Sequence, residues 1–197
     1  MKKCCFSGYS TFNLSNANPD YQNLKKTIKF VIKNLLFQGY AYYLCGFDQG
    51  TDLYFAESLC ELKASYPELR LESVIPYENQ AESWPDNERE RYYNLLAKCD
   101  KETILNTQYK NGCVIERNKL MIDHSEVLLV IFDGELSLTM QAIQYAKKSS
   151  KNIICLDPKD CTIHYLNLAS WESTQKFKLN AILNNDCTVE YIKNSRL

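Results

Sequence analysis

Three times in this chain a short apolar run meets a glycine-bearing turn, and each turn opens into a stretch with helical spacing. The stretches are Lys3-Cys4-Cys5-Phe6-Ser7-Gly8-Tyr9-Ser10, Tyr42-Tyr43-Leu44-Cys45-Gly46-Phe47-Asp48-Gln49-Gly50-Thr51-Asp52, and Val127-Leu128-Leu129-Val130-Ile131-Phe132-Asp133-Gly134-Glu135. A strand that feeds a helix and returns as another strand builds a parallel sheet, and the carboxyl ends of such strands converge on one edge. Glycine lets the backbone approach a ligand closely there, and the N–H groups of a helix start attract anions. A phosphate-compatible pocket on that edge is the first expectation.

The rest of the chain continues the alternation. Apolar residues Leu24, Ile28, Val31, Ile32, Leu35 and Leu36 form a helical stripe over residues 21–37, with Gly39 as its stop. A second helix is predicted over 51–66, with Leu53, Ala56, Leu59, Cys60 and Ala64 on one side. Strands are predicted at 69–75, 102–105 and 152–156, and helices at 85–99, 111–123 and 138–148. The pattern predicts an α/β fold whose mainly parallel sheet is flanked by helices on both faces. After Pro158 it weakens to a short helix around 175–183 and an edge strand at 188–192. With 197 residues and no linker-like tract, the chain reads as one domain, residues 159–197 being an extension of it.

Bulk properties narrow the function classes. The formal charge of −1 argues against a chain whose main business is nucleic acid, which usually needs a basic face. No run approaches the roughly 20 apolar residues of a membrane span, and the run after Lys2-Lys3 breaks at Ser7-Gly8, so neither a membrane nor a secretory route is expected and the protein reads as cytoplasmic. Nine cysteines are present without a C-x-x-C pair, and the two histidines, His124 and His164, stand apart from any cysteine pair. These cysteines read as small core hydrophobes rather than as zinc ligands, and no metal is expected. Exposed apolar surface on an outer helix would favour a homo-oligomer.

Five loops carry the candidate site residues. Gly8, Tyr9 and Ser10 offer backbone N–H groups and a hydroxyl. Gly46, Gly50, Thr51 and Asp52 lie between a strand and a helix, in neither a P-loop nor a dinucleotide fingerprint, so no cofactor is expected. Asp52 would repel a phosphate and suits a sugar hydroxyl or a base; it or Thr51 could equally cap the helix. After the third strand come Glu78, the carboxylate best placed for acid/base or nucleophilic work, Asn79, and Trp84, which could stack on a nucleobase. Arg117 and Asn118 precede the strongest strand, and Asp133, Gly134, Ser137 and Thr139 follow it. No Ser/His/Asp or Cys/His arrangement presents itself.

Taken in order, several of these segments resemble the SLOG superfamily, which includes DprA and the LOG phosphoribohydrolases, and within it the YpsA-like branch. The matching stretches are Cys5-Phe6-Ser7-Gly8, Gly39-Tyr40, Gly46 through Asp52 with Ala56-Glu57, Glu61-Leu62 with Tyr66-Pro67, Ile75 through Gln80 with Trp84, Arg117-Asn118 with Met121, Asp123 and Ser125, and Phe132-Asp133-Gly134 with Tyr145-Ala146. The resemblance covers roughly the first 155 residues and implies a Rossmann-like sheet with a pocket for a nucleotide or nucleotide-derived small molecule. The chain departs from the pattern at Gly8-Tyr9-Ser10, where relatives often carry Gly-His-Arg, and at Ser137-Leu138-Thr139, where they carry Gly-Gly-Thr. It also has Ala142 where the LOG hydrolases carry a glutamate. Binding or sensing is therefore expected ahead of catalysis; the alternative is an enzyme acting on an N-glycosidic bond through a loop carboxylate such as Glu78.

Overall fold

The computed structural model describes residues 1–8, 19–132 and 137–166. Strands β1 (Lys2–Ser7), β2 (Tyr40–Cys45), β3 (Arg70–Ile75), β4 (Lys101–Ile104), β5 (Val127–Ile131), β6 (Asn152–Leu156) and β7 (Ile163–Leu166) alternate with helices α1 (Pro19–Phe37), α2 (Thr51–Lys63), α3 (Asp86–Leu96), α4 (Cys113–Asp123) and α5 (Leu138–Lys148). They form one seven-stranded sheet in the order β4-β3-β2-β1-β5-β6-β7. Every pairing is parallel except that of β6 with β7. The chain thus builds outward from β1 to β4, then returns to the other side of β1 with β5. That reversal is the point at which open α/β sheets bind their ligands.

Alternation along the strands sorts the core into two layers. Cys4 and Phe6 of β1 point to one face with Tyr43, Leu71 and Leu129, under Ile28 and Ile32 of α1, Phe55 and Leu59 of α2 and Tyr92 of α3. Cys5 points to the other face with Leu44, Leu128 and Val130, under Met121 and Ile122 of α4 and Ala142 and Ile143 of α5. The expected architecture, a mainly parallel sheet with helices on both faces, is the observed one.

The stripe predicted for α1 is buried at Leu24, Ile28, Val31, Ile32 and Leu35. Helix α2 differs from its one-sided prediction: Thr51, Asp52, Tyr54, Phe55 and Ser58 are buried beside Leu53, Ala56 and Leu59. It packs against the sheet, α1 and α3 together, so more than one face is covered. Strand β7 carries no sequence signal of its own, and the predicted elements at 175–183 and 188–192 lie outside the described residues. Cys4, Cys5, Cys45, Cys113 and Cys155 are buried and unpaired, and burial pushes the Cys5 and Cys155 thiols up to about 12. Such thiols stay protonated and pack as apolar groups. Among the described residues no helix is long and apolar enough to cross a membrane.

The centre of the larger layer is the stack of Phe6 on Phe55, with ring centroids 4.2 Å apart. Both rings are fully buried. Phe55→Ala is expected to cost about 3–5 kcal/mol of stability through lost transfer energy and the cavity left behind, read as a lowered denaturant midpoint with unchanged cooperativity.

Candidate functional site

Three loops meet beyond the carboxyl ends of β1, β2 and β5. The Gly8 N–H donates to Asp52 Oδ1 at 3.0 Å, and the Gly8 carbonyl accepts from Thr139 Oγ1 at 3.0 Å. One residue after β1 is therefore tied to the first turns of both α2 and α5. A Cβ on Gly8 would lie 1.8 Å from Thr51 Oγ1, so no larger residue fits between β1 and α2. Thr51 and Asp52 do not cap α2; its N-cap is Gly50, with no side-chain bond. Asp52 joins loops instead, its Oδ2 accepting from Asp48 N at 3.3 Å.

The loop after β2 is held from beneath by a buried arginine. Arg117 of α4 is 1% exposed; its Nη1 donates to the Gly46 carbonyl at 2.7 Å and its Nη2 to Asp48 Oδ2 at 2.6 Å. The guanidinium occupies the space a Gly46 side chain would need, since a Cβ there would fall 1.8 Å from Nη1. Next to it Phe47 holds a left-handed φ of 55°, unfavourable for a non-glycine residue. Its ring is fully buried and meets Tyr92 edge-on at 6.2 Å, while Gln80 Nε2 donates to the Phe47 carbonyl at 3.0 Å. Packing and hydrogen bonding together hold the strained residue in place.

The electrostatics follow from this burial. Loss of hydration, then the negative charge of Asp48, push the Asp52 carboxyl up to about 7, against the pull of Arg117 and of the Asp48 and Gly8 N–H groups. Burial disfavours the Arg117 charge, but Asp48 and Asp52 more than compensate and raise its affinity for the proton.

Above this frame lies a cleft of about 310 Å³. Gly8 and Ser7 line it from β1, Asp48 and Gln49 from the loop after β2, Asn118 from α4, and Leu138 and Thr139 from α5, with Trp84 and Ser137 also at its walls. Ser137 is the N-cap of α5 and accepts from Met140 N, so the first turn of that helix opens onto the cleft. Trp84 rests edge-on against Tyr92 at 5.2 Å. Asn118 is 6% exposed, and its Oδ1 is buried without a hydrogen-bond partner among the described residues. A buried acceptor left unpaired is costly, and a ligand donor in the cleft would relieve it.

Of the residues singled out from sequence, Gly8, Trp84, Asn118, Ser137 and Thr139 line the cleft. Gly46, Gly50, Thr51, Asp52 and Arg117 form the buried layer that shapes it. Glu78 and Asn79 are exposed on the loop after β3 and do not line it; the Glu78 N–H donates to the Asn106 carbonyl at 3.1 Å. Tyr9, Ser10, Asp133 and Gly134 lie outside the described residues. Sequence reasoning passed over Asp48, Gln80 and Leu138 as site residues. Polar residues in loops carry no periodic signal, and Leu138 stands out only as the bulky residue in Ser137-Leu138-Thr139, where relatives carry Gly-Gly-Thr.

The family model YpsA, described as the YspA SLOG family, matches residues 4–161. The chain belongs to the YpsA SLOG family. Among its relatives, a UPF0398 protein of Staphylococcus epidermidis is 24% identical over 188 residues, covering 90% of this chain and all of that one. A UPF0398 protein of Bacillus velezensis is 30% identical over 141 residues, covering 69% of this chain and 78% of that one. Two solved structures share the fold. DprA of Streptococcus pneumoniae aligns with a TM-score of 0.54 at 11% identity, over 96% of this chain and 58% of that one. DNA processing protein A of Helicobacter pylori aligns with a TM-score of 0.51 at 18% identity, over 79% of this chain and 65% of that one. The YpsA-family chain thus spans less than two thirds of either DprA chain. The Helicobacter protein binds single-stranded DNA, which corrects the exclusion of nucleic acid drawn from net charge. A charge summed over a whole chain does not report the charge along one face, and the α4–α5 side of this sheet carries Lys119, Lys147 and Lys148 as well as Glu116 and Asp123.

Two predictions test this frame. Gly46→Ala displaces the buried Arg117 guanidinium from its partners and is expected to cost about 3 kcal/mol, and Arg117→Ala, which leaves only the one-third-exposed Asp48 carboxylate, should cost less; because they damage one contact, the double variant should cost clearly less than the sum. Asp52 holds its proton more tightly when folded, so its contribution to stability is full below pH 4 and is lost as pH rises toward 7. Chemical denaturation across that range should show wild type losing stability relative to Asp52→Asn as pH rises; a constant difference would mean that Asp52 does not titrate there.

Proposed function

We propose that the cleft between the carboxyl ends of β1 and β5 binds a nucleotide or nucleotide-derived molecule, and that binding rather than turnover is its role. The observation that carries this reading is the unpaired Asn118 Oδ1 in the wall of a cleft onto which the first turn of α5 opens. The helix start suits a phosphate, the Asn118 amide suits the hydrogen-bonding edge of a base or sugar, and Trp84 offers an aromatic surface. Catalysis is the weaker reading because the described carboxylates are engaged or remote. Asp48 is held by Arg117, Asp52 by two N–H groups, and Glu78 lies off the cleft wall. The N-glycosidic reading needs a carboxylate beside the anomeric carbon and a partner to activate water.

A second reading has specific support. The DNA processing protein that shares this fold binds single-stranded DNA, so the nucleotide in the cleft could be one unit of a strand.

The test is a thermal-shift screen of the full chain against nucleoside mono- and triphosphates, ADP-ribose and short oligonucleotides, with mass analysis of each hit. A ligand at 100 times its Kd should stabilise the fold by about 2.7 kcal/mol. We expect at least one nucleotide to raise the melting temperature and emerge unchanged, and Asn118→Leu to remove the shift. A consumed hit would make the protein an enzyme, and a complete absence of shifts would refute nucleotide binding.

A further inference from the structure

The cleft does not end at α5. A second cavity of about 250 Å³ lies between α4 and α5, and Asn118 and Leu138 line both. Leu138, 44% exposed at the start of α5, forms the low partition between them. Beyond it the groove has apolar walls, including Ile115, Ile122 and Ala142, and is edged by Lys119 and Lys148. Among the described residues no Asp or Glu lines it. The Tyr145 ring is held by its hydroxyl, which donates to Asp123 at 3.0 Å, and Lys119 Nζ lies 5.5 Å from the ring centroid. Neither lysine pairs with a carboxylate among the described residues.

We infer that the α4–α5 groove receives the second nucleotide of a single strand whose first nucleotide occupies the cleft, an inference that rests on the nucleotide reading of that cleft. Three observations point to this occupant. The groove continues the cleft across shared residues. Its cations, Lys119 beside Tyr145 and Lys148 at the far end of α5, suit the phosphates of a strand carried on along the groove, while its apolar walls and Tyr145 suit a base, which every strand offers as a flat surface. From Leu138 to Lys148 the helix runs about 15 Å, room for more than one nucleotide at the roughly 3.4 Å stacked spacing of a strand. Asn118, whose buried Oδ1 has no partner among the described residues, stands at the junction and lines both cavities.

Titration calorimetry of the full chain with dAMP, the 5′-phosphorylated dinucleotide pdApdA and a twelve-residue oligo-dA tests this. Binding of pdApdA is expected to be about tenfold tighter than that of dAMP, as one added stacking or phosphate contact gives. Oligo-dA should bind at least as tightly as pdApdA. The Lys119→Ala/Lys148→Ala variant should lose much of the advantage of oligo-dA over dAMP, while its dAMP affinity stays within about twofold. Its salt dependence should fall by about 0.7 for each phosphate charge that a lysine no longer neutralises. Equal affinity for dAMP and pdApdA, or an oligo-dA advantage that survives whole in the variant, would overturn the groove assignment and leave the cleft reading intact. Binding of pdApdA with exclusion of oligo-dA, or failure of all three to bind, would overturn the single strand as occupant, whereas the cleft reading falls only if the wider nucleotide screen also gives no shift.

Discussion

A buried guanidinium holds together the parts from which the cleft is made. Arg117 reaches from α4 on one side of the sheet to the Gly46 carbonyl and the Asp48 carboxylate in the loop that leads to α2 on the other. A charge so placed is tolerated only when it is paired and hydrogen-bonded. Its two terminal nitrogens have these partners, while Nε has none. The contact requires a residue without a side chain at position 46, and the loop it fixes then requires Phe47 in a left-handed conformation. Glycine, arginine and strained phenylalanine thus form one interlocked unit.

What this unit positions is a set of peptide groups rather than a set of reactive side chains. Gly8 is drawn toward Asp52 through its N–H and toward Thr139 through its carbonyl, so the residue that follows β1 is pinned between the starts of two helices. The hydroxyls and carboxylates around the switch point are largely spent on each other. Ser137 caps α5, Thr139 holds Gly8, Asp52 bridges two loops and Asp48 answers Arg117. The amide of Asn118 is the prominent exception. A pocket with its acid and base groups committed to structure, and with the Asn118 acceptor unpartnered among the described residues, supports the proposed binding role.

Much of the framework is readable in the residues. Apolar runs ending in glycine mark β1, β2 and β5, and the stripe through Leu24, Ile28 and Leu35 marks α1, because buried parallel strands and one-sided helices leave simple periodic signals. Strand β7 escapes such a reading since Ile163-His164-Tyr165-Leu166 is an edge strand, half-buried and mixed in polarity. The site is only half legible. Loop glycines and Asn118 stand out by position and resemblance, yet the burial of Arg117 is invisible: an arginine on a helix reads as solvent-facing until the missing Cβ of Gly46 shows where it goes. The exclusion of nucleic acid fails for a related reason, because net charge does not report how charge is distributed over a surface.

The most direct test of the cleft assignment is a map of amide and indole shifts in the ¹H–¹⁵N spectrum as a nucleotide is titrated into the full chain. Binding at the switch point predicts that the Gly8 amide, the Trp84 indole, the Asn118 side-chain amide and the first turn of α5 move together and saturate with one Kd. Shifts confined to the outer faces of α1 and α3, with those four signals unmoved, would contradict it.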